Sequence, residues 1–108
     1  MNLVSKRTLV FVLLLCGLLS AGQLLAQDAA GTYKSKCAMC HGPDGKGSPM
    51  GQKMGVHDFT SADVQKMSDA DLSGTITNGK GKMPAYKDKM TPDDVKGLVA
   101  YIRTLGKK

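Results

Sequence analysis

The sequence has no tryptophan and no glutamate, and only two phenylalanines among its 108 residues. Phe11 falls in an apolar N-terminal run, which leaves Phe59 and three tyrosines as the aromatic content of the remainder. A remainder of roughly 80 residues buries a marginal core even when rich in large apolar groups, and small scaffolds ordinarily hold a staple or a prosthetic group. Something besides side chains is therefore expected to fill this interior. No stretch alternates apolar and polar residues for long enough to read as a strand, so a sheet is excluded. No apolar run reaches the roughly 20 residues of a membrane-spanning helix. There is neither a long repeat nor a low-complexity linker, and the length suits at most one small domain.

The N-terminus reads as an export signal. Lys6 and Arg7 precede an apolar run of eleven residues, Leu9 to Leu19, and a small residue, Ala26, stands at a plausible cleavage point. The expected division is a signal peptide at 1–26 and one domain at 27–108. The expected destination is the bacterial periplasm; the alternatives are a thylakoid lumen or a chain tethered to the membrane by an uncleaved segment. A lipid anchor on Cys16 would call for a small residue before it, and Leu15 stands there. Past Ala26, thirteen Lys and Arg oppose nine Asp, a net charge of +4. Excess positive charge favours acidic partners, but export and the scatter of the lysines argue against nucleic acid.

Three segments pair a hydroxyl residue with an aspartate three positions later: Thr60 with Asp63, Ser68 with Asp71, and Thr91 with Asp94. Each reads as a helix start, the hydroxyl accepting from a free N–H and the acid meeting the positive helix end. The last is the strongest, with Pro92 at the first helical position and Val95, Leu98, Val99, Ile102 and Leu105 at helical spacing. A short helix is expected at about 61–67, another from Ser68 to about Asn78, and an opening one from about Asp28 to Met39. Residues 42–58 and 79–90, rich in Gly and Pro, are expected to be loops. The fold class is all-α, about four helices with two long loops.

Cys37-Ala38-Met39-Cys40-His41 carries the chemistry. A redox dithiol would sit beside a βαβ pattern, and there are no strands. A zinc ion takes four ligands; this motif supplies at most three, and His57 is the only other histidine. Covalent haem attachment fits best, because C-x-x-C-H is its signature. On one helical turn, residues three apart share a side. Cys37 and Cys40 can thus reach the two vinyl groups of one porphyrin, with His41 placed under the iron.

A second axial ligand has to come from elsewhere. Met39 lies between the tethering cysteines, Met67 and Met90 read as core, and Met50 and Met54 lie close after His41, where they would pack at the haem edge. His57 is a weaker candidate in the first loop. Met83 stands 42 residues after His41, in a Gly-rich loop between two helices, with Pro84 behind it. It is the expected sixth ligand, so the metal ligands are His41 and Met83. With both axial positions filled, one-electron transfer is the expected role and no catalytic residue is expected. Lys80 and Lys82, with Lys46, Lys53, Lys87 and Lys89, would form a positive rim for transient docking on acidic redox partners. The alternatives are a haem subunit of a larger oxidoreductase complex, or a haem enzyme or gas sensor with a labile sixth ligand.

C-A-M-C-H-G, N-G-K-G-K-M-P-A-Y and L-V-A-Y-I-R-T-L together resemble a class I c-type cytochrome, particularly the small soluble monohaem carriers of bacteria and plastids, over about residues 28–106. The resemblance implies one haem c, a monomer without stable membrane insertion, and first and last helices that cross at one haem edge. Ala29, Ala30 and Gly31 would permit the close approach, with Tyr33, Leu98 and Tyr101 nearby. It also implies a loop carbonyl accepting from the proximal histidine, with Pro49 the candidate. Many members place a tryptophan near the haem propionates; here Gln52, Lys53 and His57 are the substitutes on offer.

Overall fold

The computed structural model describes residues 28–108. The expected signal peptide and its cleavage point lie outside the described residues. The elements are α1 (28–36), α2 (Ala38–His41), α3 (Pro49–Met54), α4 (Ala62–Gln65), α5 (Asp69–Asn78) and α6 (Pro92–Leu105). The described residues form no strand, only an isolated bridge between Lys80 and Met83. None of their helices is long and apolar enough to cross a membrane.

Local chemistry sets most of these boundaries. Thr91 Oγ1 accepts from the Asp94 N–H at 3.1 Å, and the Asp94 carboxylate accepts from the Thr91 N–H at 2.9 Å. That reciprocal pair is a full capping box, and the same backbone donor holds the Asp94 carboxyl below its ordinary range. Ser68 caps α5 by accepting from the Asp71 N–H at 3.0 Å.

Three expectations are corrected. Thr60 does not cap α4: its hydroxyl and N–H both donate to Asp58 Oδ1, at 2.6 and 2.8 Å. Asp58 thus makes the turn, and Ser61 caps instead, accepting from the Val64 N–H at 3.3 Å. The opening helix does not run unbroken to Met39. It turns at Cys37 and resumes as α2, although the Cys37 N–H still reaches the Tyr33 carbonyl at 2.9 Å. Residues 42–58 are not all loop. Ser48 caps α3, accepting from the Gly51 N–H at 3.0 Å, Pro49 takes the first position, and Gly55 closes it at φ +80°. Ser48 is followed three residues later by glycine rather than an acid, so it escapes the hydroxyl–aspartate pattern.

Among the described residues the core comprises eleven buried apolar residues, the deepest being Tyr33, Leu98 and Leu105. As expected, α1 meets α6, but the close approach is made by Ala29 against Gly97, where an added Cβ would sit 3.4 Å from the Ala29 methyl. Gly31 faces open space. Arg103 staples α6 to the α4–α5 junction, donating to the Gln65 and Met67 carbonyls at 3.0 and 2.6 Å and pairing with Asp69 at 2.8 Å. Tyr101 packs on Tyr33 with ring centroids 4.9 Å apart.

Candidate haem site

Cys37, Cys40, His41 and Met83 line one cleft of about 310 Å³, whose walls are mostly apolar. Two separate constructions bring them there. The first is the α2–α3 pair. Ser48 donates its hydroxyl to the Met39 carbonyl at 2.6 Å and its N–H to the Cys40 carbonyl at 3.0 Å, while the Gly47 N–H donates to the His41 carbonyl at 2.7 Å. Gly51 is what allows this approach, since a Cβ there would fall 1.7 Å from the Cys40 carbonyl oxygen. Gly51→Ala should therefore force α3 off α2, at a cost on the order of 3 kcal/mol in denaturant titrations. A stability equal to wild type would contradict that packing. Tyr33 closes the other side, its buried hydroxyl donating to the Gly42 carbonyl at 2.6 Å; burial raises its pKa well above the phenolic value.

The second construction is the Gly79–Met90 loop. Lys80 and Met83 exchange backbone hydrogen bonds at 3.1 and 3.0 Å, which closes a tight turn and presents the Met83 side chain. Gly79 sits at φ +75°, where a Cβ would meet the Met83 carbonyl at 2.7 Å, so the turn needs glycine. The loop is tied back by the Tyr86 and Lys87 N–H groups, which donate to the Ile76 and Thr77 carbonyls, each at 3.1 Å. The Tyr86 hydroxyl spans to the Lys36 carbonyl at 3.2 Å, beside Cys37.

Burial pushes the Cys37 thiol pKa up, partly opposed by Lys36. Burial and then His57 lower the pKa of His41, favouring the neutral imidazole that a metal requires. The remaining candidates separate clearly. Met90 is buried in the core and Met67 packs against it, whereas Met39 and Met50 are exposed. Met54 and His57 also line the cleft. Of the lysines expected at a rim, only Lys80 and Lys82 line it; Lys36 does too, and was missed although it adjoins Cys37. His41 Nδ1 is buried with no hydrogen-bond partner, so the expected bond to the Pro49 carbonyl is not made. Pro49 instead opens α3. The ring stacks on Phe59 instead, a neighbour that no periodicity announces.

An imidazole, a thioether sulfur and two thiols in a mostly apolar cleft are a donor set that fits one covalently held haem. The comparisons agree. The family model described as cytochrome c oxidase, cbb3-type, subunit III matches residues 25–102. The cbb3-type cytochrome c oxidase subunit FixP of Azorhizobium caulinodans is 37% identical over 83 residues, which cover 75% of this chain and 27% of that subunit. The chain therefore spans only about a quarter of the oxidase subunits it matches. Cytochrome c6 of Anabaena variabilis is 32% identical over 74% of this chain and 88% of its own length. The solved KustC0563 c-type cytochrome superposes with a TM-score of 0.68 at 34% identity, covering 71% of this chain and 95% of that one. Its small helical fold is what the motifs led one to expect. The chain belongs to the c-type cytochrome family, as a monohaem domain that carries haem c covalently.

Proposed function

We propose that this protein is an exported one-electron carrier in which Cys37 and Cys40 tether the haem and His41 and Met83 are its axial ligands. The observation that supports this reading is the convergence of those four side chains on one mostly apolar cleft, from α2 and from a loop about forty residues further along the chain. Haem c, when bound, supplies a one-electron Fe(III)/Fe(II) couple. The chain's part is to fill both axial positions, exclude water and present a charged mouth. The decisive experiment is an optical spectrum of the oxidised holoprotein. A Met-sulfur-to-iron charge-transfer band is expected, with little carbon monoxide binding after reduction. Absence of the band with ready carbon monoxide binding would sink the carrier reading in favour of an open-iron enzyme or sensor.

Lys36, Lys80 and Lys82 at the cleft are positioned to steer acidic redox partners, and the carrier is proposed to dock on them transiently as a monomer. Small oxidants test the steering without a known partner. Reduction of anionic hexacyanoferrate(III) should slow by about tenfold from low to high salt, as screening shortens the field. A cationic cobalt(III) chelate should show the reverse. Equal, flat salt responses would remove the steering role.

The match to FixP supports a second reading, a haem domain held in a larger oxidase complex. Co-purification with other subunits at fixed stoichiometry would favour it; a lone monomer that exchanges electrons freely would not.

A further inference from the structure

Tethering fixes where His41 lies but not how its ring is turned. The last torsion of histidine is soft, and a ligating imidazole is ordinarily aligned by a hydrogen bond from its other nitrogen, which also makes it a stronger electron donor. That device is missing here. His41 Nδ1 is buried, and no group among the described residues accepts from it. The ring lies instead against Phe59, with centroids 4.4 Å apart and planes 21° from parallel.

Phe59 is itself held firmly. Its N–H donates to the Gly45 carbonyl at 2.8 Å. Its own carbonyl accepts from Gln65 Nε2 at 2.6 Å, and the same nitrogen reaches the Ile102 carbonyl on α6 at 3.1 Å. Tyr33 backs the Phe59 ring at 6.4 Å and 58°. An imidazole stacked on a ring anchored in this way cannot swing without colliding with it.

We propose that Phe59 is the positioning residue for the axial imidazole, setting the plane of His41 by stacking where a hydrogen bond would otherwise do so. An Nδ1–H without an acceptor passes less charge to the metal, so the same arrangement favours the reduced state. The inference rests on His41 as an iron ligand.

The test compares haem-loaded wild type with Phe59→Leu and Phe59→Tyr. The readouts are the paramagnetically shifted haem-methyl resonances of the oxidised protein, which follow the ligand plane, and the reduction potential. Phe59→Leu should redistribute the methyl shifts. It should also raise the oxidised-to-reduced ratio at fixed poise by about threefold, near 28 mV for a one-electron couple. Phe59→Tyr, which keeps the ring, should restore both. If Phe59→Leu does not load haem, Phe59→Met replaces it with a flexible side chain of similar bulk. Methyl shifts and potential unchanged in the folded variant, or moved equally in Phe59→Tyr, overturn the proposal while leaving the axial assignment intact. A wild-type spectrum without His/Met character overturns that assignment and the proposal with it.

Discussion

Met83→Ala is expected to abolish the sulfur-to-iron charge-transfer band, drop the reduction potential and open the iron to carbon monoxide. Met/His ligation holds the potential high because thioether sulfur is a weak donor that favours the reduced state. Water or hydroxide in its place favours the oxidised one. The oxidised-to-reduced ratio at fixed poise should rise by well over tenfold, more than about 59 mV for a one-electron couple. The turn should survive, because the Lys80–Met83 bonds are made by backbone and Gly79 is untouched. Helical circular dichroism close to wild type, together with a lost band, would locate the effect at the ligand. Retention of the band in Met83→Ala would pass the ligand role to another sulfur, with Met54 on the same cleft the first to examine.

Removing the tethers should have the other large effect, and it should be uneven along the chain. The eleven buried apolar residues come from α1, the α4–α6 helices and Met90, and none lies between residues 34 and 63. The α2–α3 half therefore has little apolar packing of its own and leans on the cleft. Cys37→Ala and Cys40→Ala should each leave one thioether and a lower yield of haem-loaded protein. In the double variant, haem should separate from the chain on a denaturing gel. Amide exchange at residues 42–58 in the haem-free double variant should then be about a hundredfold faster or more than in the holoprotein, near 2.8 kcal/mol of lost local stability. Exchange rates there equal to the holoprotein's would mean that the α2–α3 pair folds without the group, and the argument from the thin core would fail.

Much of this was legible because it is written locally. The α6 capping box, Pro92 and the apolar positions from Val95 to Leu105 lie within one helix, so spacing alone predicts them. The same holds for Cys37, Cys40 and His41, one turn apart. Where the reading failed, a competing local bond or a distant contact had won. Thr60 lost its cap role because Asp58 captured both of its donors. α3 went unseen because Gly51, the residue that an acid would have made recognisable, must stay bare against the Cys40 carbonyl.

By itself the sequence determined the attachment motif, the absence of strands among the described residues and the helix starts at Ser68 and Thr91, since each depends on residues a few positions apart, and it made Met83 a candidate through its Gly-rich loop 42 residues after His41. Only the tertiary structure decided which lysines stand at the cleft, that Ala29 rather than Gly31 meets α6, and that Phe59 rather than the Pro49 carbonyl faces His41. Those outcomes depend on how separate helices and loops pack, and such contacts leave no period or spacing in the chain that makes them.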